Sequence, residues 1–457
     1  MAIEITDEQR DAILALEEGH FHDLKRKEIA PSKLSRSVSA LANAAGGELY
    51  IGVEEHEVAG QQVRNWNGFS DVEDANAFLQ MLHTIAPLAD FIDTTFLSHP
   101  TSNGQLLKIE IRKNSTLVNT TDGVVYVRKG AQNLPVPEGG AMERLRLDKG
   151  IASYEDYTVD VELSEVENSE VIIGFLINVI PTAEPEPWLK KQGMIRDGKP
   201  TVAGIMLFMD EPQAALPKRS AIKIFRYTTS DATPTRDQLA FDPITIEGAA
   251  YHLIYAAVER TQHLIGEMKK LGAESLIEIT YPPETLHEII TNAVLHRDYS
   301  IAADVQIRIF DNRVEVESPG RLAGHVSLEN ILDTQFARNQ RIVRMVNKFP
   351  NPPNKDVGEG LNTAFDAMRK LRLKEPFIEE TENSVRVIIP HQKLASPEDM
   401  VMEYLEDYAQ IVNRDARRIC GIASENTMKG VFKRLEAREL IEQVPGRSRF
   451  RAAWRKR

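Results

Sequence analysis

The chain has 457 residues, 42% of them hydrophobic and 27% charged, with a formal net charge of −13. This length exceeds one ordinary core and, at about 150 residues per domain, points to roughly three units. The acidic balance excludes a surface that coats nucleic acid throughout, and no apolar run reaches the roughly 18 to 20 residues needed to span a bilayer.

The charge is uneven, however. Val431 to Arg457 carries nine Lys or Arg and three acidic residues, so the basic end is a candidate nucleic-acid contact. Cys420 is the single cysteine and has no intrachain partner. MAIEITDEQR lacks a basic-then-apolar signal pattern. A cytoplasmic location without a membrane partner is therefore expected.

Apolar Ile5, Ile13, Leu14 and Leu16 predict a helix over 5–18. Leu34, Val38 and Leu41 share one face of a second helix, from Lys33 to Ala45. Gly46-Gly47 ends it and feeds the strand ELYIGVEE. LLKIEIRK at 106–113 and VVYVRKG at 124–130 read as further strands. The Pro/Gly cluster LPVPEGGAM marks a boundary near residue 140. EVIIGFLINVI, from Glu170, reads as a helix; GIMLFMD and AIKIFRY read as strands; Gly248 to Leu271 reads as one long helix. YPPETLHEIITNAVLH opens another helix, with Pro282-Pro283 at its start. The strands DVQIRIF and NRVEVES follow, then helices near 340–348 and 360–371, the strand VRVIIP, and three short helices with a hairpin. The expected fold class is multidomain α+β. Its units are a mixed α/β domain (1–140), a connecting α/β domain (141–278), an α/β sandwich (279–393) and a C-terminal helical unit (394–457).

Glu288 and Asn292 stand four apart and share a helix face. An Asn amide can ligate Mg²⁺, which keeps waters and phosphate oxygens for its other positions, while a Glu polarises attacking water. SPG follows at 318–320 and GEGL at 358–361, where glycines let backbone N–H groups approach phosphate. Each piece alone is more often a solvated face or a turn. In this order they resemble the N, G1 and G2 boxes of the GHKL ATPases. The strings NAVLHRDYS, VESPGRL, Arg338-Asn339 and GEGL resemble in particular the RecG-like branch of that family, over about 280–392. The resemblance implies a GHKL-like sandwich that binds ATP and Mg²⁺. It draws on Glu288, Asn292, Ser318, Gly320, Arg338, Asn339, Gly358 and Gly360, with Glu288 as the catalytic group and Asn292 as the metal ligand. His296 and Arg297, with Asp298, either contact the phosphates or form a structural polar cluster. Ser318 stands where GHKL proteins place an Asp on the adenine amino group. A hydroxyl lacks charge-assisted strength, so weak discrimination between ATP and GTP is expected. The family often dimerises, which implies a homo-oligomer. No G-x-x-x-x-G-K-[ST] loop is present, so no helicase motor is expected.

Near the start, Glu18 and Asp23 flank a turn before Lys25, and Glu54-Glu55 ends a strand. Three converging carboxylates can hold a divalent metal for phosphodiester cleavage, and a lysine can touch phosphate. With 68 Asp and Glu in the chain, chance proximity is the bland reading. DLKRK…LSRSVSALANAAGGELYIGVEE, with YVRKGAQNLPV closing it, resembles the Schlafen/AlbA-like domain over about 12–138. That resemblance implies Glu18, Asp23 and Glu55 as catalytic ligands for Mg²⁺ or Mn²⁺ in a nuclease, with Lys25 beside them. Alternatively, it implies DNA binding without catalysis. Asp23 and Glu55 each differ from the family's usual acid by one methylene.

At the C-terminus three short helices and IEQVPGRSRFRAAW resemble a winged helix-turn-helix. That implies nucleic-acid contacts by Asn426, Lys429, Lys433 and Arg434 on the third helix and by Arg447 and Arg449 on the wing. The whole reads as an ATP-responsive nucleic-acid-binding protein, a DNA-binding regulator. The alternatives are a metal-dependent nuclease of RNA or DNA, in the manner of an anti-phage effector, and a non-catalytic assembly scaffold.

Overall fold

The computed structural model describes all residues except 1, 59–60, 87–88, 217–218, 272–275, 279–280, 354–359, 372, 392–396, 421, 423 and 445–451. The N-terminal unit is a five-stranded sheet in the order Ile3–Glu4, Ile92–Ser98, Gln105–Ile111, Gly47–Ile51, His22–Lys25. Leu34, Val38 and Leu41 of helix Pro31–Ala42 are buried against Leu49, Ile51, Leu107 and Ile109 of that sheet. The apolar stripe read from the sequence therefore forms this core. Gly47 has φ +146°, and a Cβ there would lie 2.3 Å from the Phe21 carbonyl oxygen. Only glycine lets the strand come so close to its neighbour. The first helix is shorter than the pattern suggested, Asp7–Ala15, because Thr6 caps it in a reciprocal pair with Gln9.

The boundary expected between 278 and 279 does not separate two cores. Strands Ile244–Ile246 and Ile222–Arg226 belong to the same six-stranded sheet as Val305–Ile309, Arg313–Pro319, Ser384–Pro390 and Phe377–Glu380, in that order. Ile222–Arg226 lies parallel to Val305–Ile309. One buried cluster runs from Val159 to Ile389. GIMLFMD also departs from expectation. Val202–Phe208 is a helix, capped by Thr201, with all seven residues buried. A continuously apolar run has no period to distinguish strand from helix. The long helix after Gly248 ends at Gly266, and Lys269–Leu271 is a strand.

The last unit has helices Pro397–Asp407, Asn413–Ile419 and Glu425–Ala437, and a three-stranded sheet ordered Ile411–Val412, Ala453–Lys456, Ile441–Gln443. Met428, Val431, Phe432 and Leu435 turn inward onto Val401, Leu405 and Ile411. This is the arrangement of a winged helix. No helix among the described residues is long and apolar enough to cross a membrane.

Lys149 ties the first unit to the second. Its buried ammonium donates to Ala42 O at 2.6 Å, Asn114 O at 2.8 Å and Asn114 Oδ1 at 2.9 Å. Burial, and then the charge of Lys113, push its pKa down to about 7. Lys149→Met leaves Asn114 O without this donor, while Ala42 O keeps Asn114 Nδ2 and Asn114 Oδ1 keeps Thr116 N, and is expected to cost about 1 to 3 kcal/mol, read as a lower urea midpoint.

Candidate functional site

Helix Pro283–Leu295 buries Ile289, Ile290, Ala293 and Val294 against the six-stranded sheet. Its remaining face borders a cavity of about 530 Å³. Glu288, Asn292, His296, Ser318, Gly320, Arg338 and Gly360 all line it, so the structure gathers seven of the predicted residues in one place. Gly358 lies outside the described residues.

The polar end is built on Glu288. Asn292 Nδ2 donates to Glu288 Oε1 at 2.8 Å. This fixes the amide so that Oδ1 is the end left to meet a hard cation. Burial raises the Glu288 pKa, and the Asn292 hydrogen bond partly offsets this. Gly360 begins helix Gly360–Lys370, and a Cβ there would lie 2.1 Å from Glu288 Oε1. The carboxylate and that helix start approach this closely because the residue is glycine.

The apolar end is lined by Val316, Leu322, Val326, Phe336, Ile378, Val385 and Val387, with Ser318 among them. Ser318 Oγ donates to Ala293 O at 2.7 Å. A hydroxyl has one proton, and here it is used, so toward the cavity Ser318 offers lone pairs only. That matches an exocyclic amine and opposes a ring carbonyl. This runs against the expectation of weak base discrimination.

Two predicted residues lie off the cavity lining. Arg297 is 1% exposed, and its Nη2 donates to Arg219 O, Ile301 O and Ala303 O. Its guanidinium carbon sits 4.9 Å from the Tyr299 ring centre. Asn339 is fully buried and donates to Leu295 O at 2.9 Å and Arg297 O at 2.8 Å. Both brace the C-terminal end of helix Pro283–Leu295. Arg338 lines the cavity, yet donates to Asp298 Oδ2 at 3.1 Å and Arg321 O at 2.6 Å. Asp298 also pairs with Arg144 at 2.7 Å. The structural reading of the His296-Arg297-Asp298 cluster therefore describes Arg297 and Asp298. The sequence reading passed over Arg321, Gln335, Gln340 and Arg344, which also line the cavity. The string VESPGRL contained Arg321 next to Gly320, the one local signal for this group.

The N-terminal acidic residues form a pair. Glu18 Oε1 accepts from Lys25 Nζ at 2.9 Å and from Leu24 N at 3.0 Å, and Asp23 Oδ1 accepts from Lys25 at 2.6 Å. Burial raises the Asp23 pKa, and its hydrogen bond to Glu18 adds to this. Burial opposes ionisation of Glu18, but Asp23, Lys25 and the Leu24 N–H outweigh it and hold Glu18 at about 2. Glu55 is apart, on the hairpin of Val53–Val58 and Gln61–Trp66, paired with Arg64 at 2.6 Å. Among the described residues no three His, Cys, Asp or Glu are grouped to hold a metal. The Lys25 ammonium occupies the space between the two carboxylates where a cation would sit.

On the third C-terminal helix, Asn426, Lys429 and Lys433 are exposed and share one face. Lys429 pairs with Glu425, one turn back, at 2.7 Å. Arg434 turns away and pairs with Glu398 at 2.6 Å. Arg447 and Arg449 fall outside the described residues.

Two family models match the chain. "Schlafen, AlbA_2" covers residues 18–137, and "Putative ATP-dependent DNA helicase recG C-terminal" covers 302–389. They agree with the domain architecture read from the sequence. None of the curated proteins matches. The solved structures include the DIP2311 protein from Corynebacterium diphtheriae, 17% identical, with a TM-score of 0.42 over 98% of this chain and 96% of that one. They also include the N-terminal domain of a RecG-related protein from Nitrosomonas europaea, 18% identical, with a TM-score of 0.18 over 23% of this chain and 70% of that one. Neither likeness is strong enough to bear on fold or function.

Bracing and lining residues should separate by experiment. Asn339→Ala is expected to lower stability by about 1 to 3 kcal/mol in urea unfolding and leave nucleotide affinity nearly unchanged. Gly360→Ala, which pushes on Glu288, should do the reverse.

Proposed function

We propose that this chain, which joins a Schlafen AlbA_2 unit to a RecG-like ATPase-type unit, is a nucleotide-responsive nucleic-acid-binding protein. The observation that carries this reading is the cavity itself. It has Glu288 and Asn292 at a polar end and Ser318 within an apolar end. Its volume of about 530 Å³ suits a small organic ligand. The site has what Mg·ATP needs. The Asn292 amide oxygen serves the cation, backbone at the Gly360 helix start serves phosphate, and Val316, Val385 and Ile378, side by side on one sheet face, give a base an apolar platform. When bound, the cation would neutralise phosphate charge beside Glu288, and this chain's part is to hold the polyphosphate and keep water out. Arg321 and Arg344 supply further positive charge on the lining.

Nucleic-acid contact is assigned to the two outer units. The exposed Asn426, Lys429 and Lys433 face would enter a groove, and the wing would lie along phosphates. In the N-terminal unit Lys25 is bound by two carboxylates, which favours a structural or phosphate-contacting role over metal-dependent cleavage. A nuclease would have to displace Lys25 before a cation could take its place. Incubating the protein with Mn²⁺ and labelled tRNA or duplex DNA should leave both intact. Cleavage that vanishes in Glu18→Ala would replace this reading with the nuclease.

Calorimetry tests the nucleotide. Mg·ATP should bind, and Asn292→Ala should weaken binding at least about tenfold, equivalent to about 1.4 kcal/mol. Because Ser318 presents lone pairs only, ATP should be preferred over GTP by roughly tenfold, and Ser318→Ala should abolish most of that preference. No heat with any nucleotide would refute the assignment.

A further inference from the structure

The segment 320–325 has two sides with different owners. On one side Gly320, Arg321, Leu322 and Ala323 line the cavity. On the other it is held from outside the six-stranded sheet. Lys113 Nζ, at the end of the N-terminal sheet, donates to Leu322 O at 2.7 Å. Ser115 Oγ meets His325 Nδ1 at 3.3 Å. Gly324 N donates to Asp148 O at 3.1 Å. Packing reinforces the contact: the Phe336 ring fills the space beside Gly150 and Gly324, where a Cβ at either would approach within 2.2 Å and 3.0 Å of it.

The charges follow the same path. Arg321 reaches Glu380 by two bonds of 3.3 Å, and Leu322 N donates to Glu380 Oε1 at 2.8 Å. Glu380 Oε1 is also 4.0 Å from Lys113 Nζ. Thus both polar groups of the Leu322 peptide are taken, the N–H by Glu380 and the C=O by Lys113. Burial lowers the Lys113 pKa to about 8, with Glu380 opposing this and Arg321 and Arg338 adding to it. A buried ammonium that lost Leu322 O would keep Glu380 as its remaining counter-charge, so the segment cannot move without a cost at Lys113. His20, in the turn between Glu18 and Asp23, feels the charges of Arg321, Arg128 and Glu380.

We propose that segment 320–325, through Lys113, couples nucleotide occupancy of the cavity to the N-terminal unit. This rests on the nucleotide reading above and adds the route by which the ligand is sensed. A base packed on Leu322 and Ser318 holds the segment in the position that Lys113 and Ser115 grip. Occupancy and docking of the N-terminal unit then favour each other, and linkage makes the effect reciprocal.

Hydrogen exchange of the full-length protein with and without Mg·ADPNP tests this, alongside calorimetry on the same samples. Amides of 105–118 and 140–150, none of which belongs to the cavity lining, should slow by about tenfold on nucleotide binding, a usual size for coupling between sites. Lys113→Met should still bind nucleotide, weakened by no more than the roughly tenfold reciprocal of the coupling, but lose that slowing, since it removes the grip and leaves the cavity lining intact. Ser115→Ala with Glu380→Gln is a second variant, for use if Lys113→Met does not fold, and should lose at least half of the effect. If wild type binds no nucleotide, the functional reading fails and this proposal falls with it. If wild type binds nucleotide but 105–118 does not respond, or if both variants respond fully, the coupling route is wrong and the nucleotide site stands.

Discussion

A buried polar knot at the end of helix Pro283–Leu295 sets the geometry of the cavity. Arg297 reaches three backbone carbonyls, Asn339 holds Leu295 O and Arg297 O, and Asp298 joins Arg338 to Arg144. Helix ends leave carbonyls without intrahelical partners, and Asn339 supplies a donor to one of them, Leu295 O, while Arg297 serves carbonyls of the segments beside the helix end. Because the helix end is pinned, Glu288 and Asn292 meet the Gly360 helix at a fixed distance. Gly320 completes the knot, since a Cβ there would lie 2.5 Å from Asp298 Cβ.

The knot also fixes where the segment 320–338 begins and ends. Arg338 bonds Arg321 O, so its two ends are joined while the chain between them arches along the cavity. The arch is gripped from behind by Lys113, Ser115 and Asp148. One wall of the cavity thus doubles as an interdomain contact. In an acidic protein, positive charge on this wall comes from Arg321, Arg338 and Arg344, each already held by a protein acceptor. A polyphosphate ligand would compete with those acceptors, which is a physical basis for a responsive site rather than an inert one.

Much of the fold was legible because local patterns suffice for elements with one buried face. Leu34, Val38 and Leu41 announced a helix, and the alternation in DVQIRIF announced a strand. GIMLFMD misled because Gly204 to Met209 are all buried, which erases the period. The domain boundary at 278 misled for another reason. Strand Ile222–Arg226 pairs with Val305–Ile309 across more than eighty residues, and no local signal reports such a partner. In the site, residues aimed at the cavity were found where spacing carried the chemistry, as with Glu288 and Asn292. Arg321 and Arg344 escaped because arginine on a loop or a short helix has no distinctive spacing.

The sequence by itself determined the helix that carries Glu288 and Asn292, the glycines where backbones approach closely, and the family likeness of two units. Side-chain spacing on a helix is set by local geometry, so a shared face can be read directly. Only the tertiary structure decided what each polar atom does. It turned Arg297 and Asn339 into braces, placed Lys25 between Glu18 and Asp23, separated Glu55 from that pair, and committed the Ser318 proton to Ala293. These outcomes depend on partners distant in the chain, and a hydrogen bond's direction and energy are fixed only when both ends are in place and water is excluded.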